Sequence, residues 1–150
     1  MKNVSHEARR IGGALLELRA QLAMLNHRVG ARVDLKDVDL DCLELLNRHG
    51  PHSPSALARR AGLHPATMTG ILDRLERAGW VARDRDPADR RSVLVRVRPE
   101  RTAEVGRLYA RADEPLRELC ATYSTRDLAV IEGFLTRAAE TIGRTADGLS

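Results

Sequence analysis

Aromatic residues are scarce in this chain. With one Phe, one Trp and two Tyr among 150 residues, the core has to be filled by Leu, Val, Ile and Ala, a composition that suits helices packed on helices. Cysteine is as rare. Cys42 and Cys120 are too few for a disulfide framework and fit a reducing compartment. No uninterrupted apolar run approaches the roughly 18 residues that cross a bilayer. The opening MKNVSHEARRIGG lacks the short apolar block and small-residue cleavage site of a secretory signal. These features read as a cytoplasmic protein without a membrane partner. Enzyme signatures are also missing: there is no Gly-rich phosphate loop, no G-x-S-x-G elbow and no His/Asp set sharing a helical face with a nucleophile. His49 and His52 flank Gly50 and Pro51, but neither alone nor with Cys42 or His64 do they match a zinc spacing. Turn and capping roles account for them, and no enzyme activity, cofactor or metal is expected.

What is present is a folded protein with an uneven charge distribution. The chain is 43% hydrophobic and 31% charged, too apolar for a disordered segment and long enough for one cored domain with an oligomerisation element. Net charge is +4. Residues 53 to 101 carry eleven Arg against six acids, a net of +5, while the remainder carries fourteen basic against fifteen acidic residues, a net of −1. Codon bias explains why 23 of the 25 basic residues are Arg. It does not explain their segregation, which is the footprint of a polyanion partner.

Both ends read as long helices. Ile11, Leu15, Leu18, Leu22, Leu25 and Val29 are spaced 4, 3, 4, 3, 4 along a helix over 7–29, a heptad-like stripe. Leu128, Ile131, Leu135, Ala138 and Ile142 repeat the spacing near the other end. Val105, Leu108, Ala112, Leu116, Leu119 and Tyr123 form a third stripe, with Pro115 inside it predicting a kink or a restart. Long striped helices at both termini point to a homodimer built from the ends, against the alternative of a monomeric bundle. The expected organisation is an N-terminal dimerisation helix over 1–34, a central lobe over 35–100 and C-terminal dimerisation helices over 101–150.

The centre is built differently. Three short helices each end at a glycine, at Gly50, Gly62 and Gly79, where a left-handed residue can close the last turn. Ser53 before Pro54 is a good N-cap with proline at the first helical position, and His64 before Pro65 repeats the arrangement with a weaker cap. The short turn AGLH between the second and third helices is the signature of a helix-turn-helix. On the third helix Met68, Ile71, Leu72 and Leu75 share a buried arc, with Ala66, Gly70, Asp73, Arg74 and Arg77 opposite and Thr67 and Thr69 on the flanks. Taken alone, that is also how a helix with a merely solvated face looks. The next stretch, WVARDRDPADRRSVLVRVRP, is decisive. Residues 80–83 and the alternating Val93, Val95 and Val97 form two strands around a Pro87-containing turn over 84–91. A hairpin directly after a recognition helix is a wing, and Arg90 and Arg91 at its tip suit a narrow minor groove. Asp89 is placed to hold the Arg91 guanidinium. The fold class is therefore mainly α with a small β-hairpin wing, a winged helix-turn-helix.

The motifs LARRAGL, ILDRLERAGWV and above all RDPADRRSVLVRV closely resemble the winged helix-turn-helix core of the MarR family of bacterial transcription regulators, over about residues 35 to 100. The resemblance implies a homodimer that binds double-stranded DNA at a pseudo-palindromic operator, usually as a repressor, and in many members releases it when a small, often phenolic, effector binds. Carried over, the wing pair falls on Asp89 and Arg91, with Arg90 beside them. Recognition-helix contacts fall on His64, Pro65, Ala66, Thr67, Thr69 and Gly70, together with Arg74; Arg77, on the same exposed basic face, adds electrostatic affinity for DNA. Ser53 and Ser55 match positions that often hold phosphate. The chain departs from the family at Gly70, where many members carry a polar or basic reader, and at His64, which replaces a small hydroxyl cap. With few aromatics to stack on a phenolic ring, the effector stays open between an aliphatic ligand, an anion held by Arg19, Arg28 or Arg32, and none. The alternative function is a winged-helix domain used as a protein-interaction module, which the acidic residues of the wing would suit.

Overall fold

A computed structural model describes residues 5–149. The outermost residues of the expected terminal segments, 1–4 and 150, lie outside the described residues. The elements run α1 (His6–Val33), α2 (Asp37–His49), α3 (Pro54–Ala61), α4 (Pro65–Arg77), β1 (Val81–Arg85), β2 (Val93–Val97), α5 (Pro99–Cys120) and α6 (Thr125–Asp147). The chain divides into two compact units, Met1–Val105 and Gly106–Ser150.

Within the first unit, α1 extends about a turn beyond the predicted helix. It is opened by the Ser5 hydroxyl, which accepts from the Ala8 N–H, and closed by Asp34 in the left-handed region at φ 56°. Most of α1 is exposed; only Val29 and Gly30 are buried. The turn after α1 brings Leu35 back so close to Gly30 that a Cβ there would lie 2.5 Å from the Leu35 carbonyl oxygen, so glycine is required by close approach.

The lobe that follows contains the core. Leu40, Cys42, Leu43 and Leu46 of α2, Leu57 and Ala58 of α3, Met68, Ile71, Leu72 and Leu75 of α4, and Trp80, Val81 and Val95 are all buried. The predicted arc of α4 is the buried one. Gly50, Gly62 and Gly79 all have positive φ, as three helix-ending glycines should. After α4, the Trp80 N–H reaches the Leu75 carbonyl and the Gly79 N–H the Glu76 carbonyl, which satisfies the last turn and aims the chain into β1.

The hairpin pairs Val81 with Val97 through Arg85 with Val93, antiparallel. Its first strand begins one residue later and ends two later than the sequence predicts, because the Trp80 N–H is spent on closing α4. The turn accordingly occupies 86–92. A third backbone segment joins the sheet: His52, in the α2–α3 loop, exchanges both backbone bonds with Val95, at 3.1 and 2.8 Å. This link fastens the hairpin to the start of the helix-turn-helix.

In the chain beyond, α5 runs through Pro115 without a break in the helix. Proline has no N–H for the carbonyl one turn back, and its exposed position leaves that carbonyl open to water. Neither α5 nor α6 contains a buried residue. Thus Leu116 and Leu119 on α5, and Val130, Ile131, Phe134, Leu135 and Ile142 on α6, are exposed apolar side chains. None of the described helices is long and apolar enough to cross a membrane.

Candidate nucleic-acid interface

The N-terminal end of α4 is preorganised by its caps. His64 Nδ1 accepts from the Ala66 N–H at 3.1 Å. Accepting at Nδ1 means that the neutral ring carries its proton on Nε2, so His64 caps the helix while leaving an N–H donor on the far side of the ring. Pro65, Ala66, Thr67, Thr69 and Gly70 are all exposed. The Thr69 hydroxyl is committed to the Pro65 carbonyl at 3.0 Å. No atom lies within 4 Å of where a Gly70 Cβ would be, so nothing inside the chain demands glycine there. One helix earlier, Ser53 caps α3 by accepting from the Ala56 N–H at 3.2 Å, and its hydroxyl lies 3.3 Å from that of Ser55.

Along α4 the charges are sorted by partners. Asp73 and Glu76 would repel phosphate, but both pair with Arg83 of β1, at 2.7 and 3.2 Å. Arg83 lies opposite Val95 on the inner face of the hairpin, so its stem packs inward while its head crosses to α4. Bonding to Asp73 raises its pKa further above the usual arginine value, the direction expected for a guanidinium held by carboxylates. Arg77 has no ion-pair partner among the described residues. Arg74 is different. Its guanidinium is held by the carboxylate of Asp39 in the first turn of α2, and its Nε is buried without a partner. Asp39 is 1% exposed, so removing the arginine would strand a buried charge at a cost of about 3–5 kcal/mol. The sequence places Arg74 on the outer face of the helix; the fold draws it to the α2–α4 seam. Nothing in the sequence singles out Asp39, because on its own helix it is only one more acid near the N-terminus.

The wing corrects one detail. Asp89 does not hold the Arg91 guanidinium: its Oδ1 accepts the Arg91 backbone N–H at 3.0 Å and its Oδ2 the Ser92 hydroxyl at 3.0 Å. A short acidic side chain satisfies nearby backbone N–H groups more readily than it reaches a neighbouring guanidinium. Asp86 does the same for the Ala88 N–H at 2.9 Å. The wing aspartates therefore shape the turn, and the exposed side chains of Arg90 and Arg91 have no ion-pair partner among the described residues. At the base of the wing, Arg96 pairs with Asp84 across the strands at 2.5 Å. Trp80 is buried beneath Arg101, whose guanidinium carbon is 4.2 Å from the ring centroid, a cation–π contact.

Of the remaining candidates, Cys42 is a core residue whose thiol pKa is pushed up to about 11, chiefly by burial. It is therefore unreactive as a thiolate near neutral pH. Cys120 is exposed. His49 and His52 meet edge to face at 6.4 Å, and His52 Nδ1 is 2.8 Å from the Gly50 carbonyl. An open groove of about 440 Å³ lies along α2, with Val38, Cys42, Leu45 and Leu63 among its walls. Arg19, Arg28 and Arg32 do not line it; they sit exposed on α1.

A helix-turn-helix followed directly by an arginine-tipped hairpin defines the winged-helix class of DNA-binding proteins. Comparison with known proteins narrows it: the sequence pattern of the MarR family matches residues 35–93, and this chain belongs to the MarR family. It is 33% identical over 118 residues to the HTH-type transcriptional regulator YcgE of Bacillus subtilis, covering 78% of this chain and 77% of that protein. The crystal structure of RV1404 from Mycobacterium tuberculosis has the same fold, with a TM-score of 0.72 at 21% identity, covering 93% of this chain and 97% of the other. A mutant of S. aureus MepR bound to an oligodeoxyribonucleotide also shares it, with a TM-score of 0.61 at 16% identity over 88% of this chain and 97% of that one. The chain is a DNA-binding transcription regulator.

Proposed function

We propose that this regulator acts in the cytoplasm as a homodimeric repressor of a pseudo-palindromic operator, released by a small-molecule effector. Each subunit lays α4 in the major groove and reaches the adjacent minor groove with the 86–92 turn. His64, Pro65, Ala66, Thr67, Thr69 and Gly70 face the bases and the nearby backbone, with Ser53 and Ser55 at a phosphate. Arg74, Arg77, Arg90 and Arg91 supply the electrostatic affinity, and Asp89 shapes the turn that presents the last two. The observation that carries this reading is the sorting of charge. The acids of α4 are neutralised by Arg83, and those of the wing tip are turned to the backbone, while the arginines at the tip are left without partners among the described residues. Such a surface attracts phosphate. The oligonucleotide-bound MepR supports the same use of the fold. The dimer is supported by the unburied apolar stripes of α5 and α6.

Fluorescence anisotropy tests the proposal, using a labelled duplex from the intergenic region beside the gene at about 0.15 M salt against excess random competitor. Arg91→Ala is expected to weaken binding by about 1–3 kcal/mol and to reduce the preference for A·T at the outer steps. Unchanged binding in that variant would remove the wing from the interface.

A further inference from the structure

We propose that Asp39 is a positioning residue for DNA binding: from the first turn of α2 it fixes the Arg74 guanidinium at the edge of the recognition helix, where it meets a backbone phosphate. This rests on reading α4 as the helix that enters the groove. Both carboxylate oxygens of Asp39 are engaged. Oδ2 accepts the Lys36 backbone N–H at 2.9 Å, and Oδ1 accepts from Arg74 Nη2. The carboxylate thus has a single orientation, set by the chain that leaves α1 and by the capping of α2. Arg74 is two-sided. One edge is drawn against a carboxylate that is 1% exposed, yet the side chain as a whole keeps 42% of its surface in solvent. A guanidinium has five N–H donors in a rigid fork, so donors remain at the surface after Asp39 has taken its share.

Asp39 is the only buried charged residue among those described, in a lobe core that is otherwise apolar. Burying an ion pair gains little over packed apolar side chains, so stability alone does not account for it. Orientation does. A free arginine must give up rotamer freedom on contact with phosphate, and Arg74 has given it up already. Arg77, one turn further on without an ion-pair partner among the described residues, is the contrasting case. The opposite hypothesis is that Asp39 sequesters Arg74 from DNA, and it predicts the opposite sign.

The test is the salt dependence of binding to a labelled random-sequence duplex, for the full chain and its variants, with folding followed by circular dichroism and melting. Asp39→Asn keeps the side-chain size and an acceptor for Lys36. It is expected to flatten the plot of log K against log salt by up to about 0.9 per subunit, and to weaken binding at 0.1 M salt by up to about eightfold per subunit, the full loss of one phosphate contact. Adding Arg74→Gln to Asp39→Asn is expected to cost less affinity than Arg74→Gln costs where Asp39 is intact. Asp39→Glu keeps the net charge but moves the guanidinium, and is expected to weaken binding too; it is also the variant to use if Asp39→Asn does not fold. Tighter or unchanged binding by Asp39→Asn or Asp39→Glu would overturn the proposal, as would a loss from Arg74→Gln that is the same with and without Asp39. If the wild-type chain shows no salt-dependent binding, the recognition-helix reading falls and the proposal with it.

Discussion

Residues 29 to 95 bury fifteen apolar side chains, whereas α5 and α6 bury none. Both regions are helical and both carry apolar stripes at helical spacing, so the difference does not lie in pattern. The lobe closes on itself because its elements are short and joined by tight turns. The Gly62 turn brings α3 onto α4, and the His52–Val95 bridge brings the hairpin back to the α2–α3 loop. At 22 and 23 residues, α5 and α6 span roughly 33 Å each. Their stripes, with Phe134 and Leu135 exposed, find no cover within the described chain. The lobe is covered by its own elements and the stripes of α5 and α6 are not; the homodimer proposed above would give those stripes a partner.

Three substitutions test that contrast. The largest effect is expected at Leu72, which is fully buried on α4. Leu72→Ala should lower the stability of the lobe by about 2–5 kcal/mol, read by denaturant titration of the fluorescence of Trp80, the only tryptophan and itself a lobe residue. A loss below about 1 kcal/mol would mean that the lobe core is loosely packed. Next comes Leu135→Glu on the stripe of α6. It should weaken self-association by about 1–3 kcal/mol per subunit, seen as a rise in the dissociation constant by sedimentation, with the Trp80 signal unaltered in the separated chains. Unchanged association would place the interface elsewhere. The smallest effect is expected at Gly70. Because a Cβ there meets nothing, Gly70→Ala should stabilise the lobe by up to about 1 kcal/mol. If the α4 backbone approaches DNA at that point, the same variant should lose affinity while melting at a higher temperature. A gain in stability without a loss in affinity would show that Gly70 does not face a base edge.

The stretches legible in the sequence are those where one element decides its own shape. The buried arc of α4 follows from a 3.6-residue period, the glycines at 50, 62 and 79 from the left-handed conformation each is needed for, and the hairpin from its alternating valines. The same local rules leave His64, Pro65, Ala66, Thr67, Thr69, Gly70 and the wing-tip arginines exposed, where the proposed function uses them. Sequence and structure part where two elements or two partners compete. Spacing assigns Asp89 to a guanidinium, but the backbone N–H and the hydroxyl two and three residues on claim the same oxygens at shorter range. The angle on a wheel assigns Arg74 to the outer face, yet a long side chain at the rim of a helix goes where its partner is, and the partner is 35 residues away.

The amino-acid sequence by itself determined the element types, the order helix-turn-helix then wing, and the family, because propensity, period and turn chemistry act over a few residues and the wing motif is contiguous. Only the tertiary structure decided which charges are neutralised. Arg83 with Asp73 and Glu76, and Arg74 with Asp39, join residues of different elements with no periodic relation. Their attraction becomes specific only once apolar burial has brought the elements together, and around Asp39, whose side chain is 1% exposed, it also excludes the water that would otherwise screen the charge.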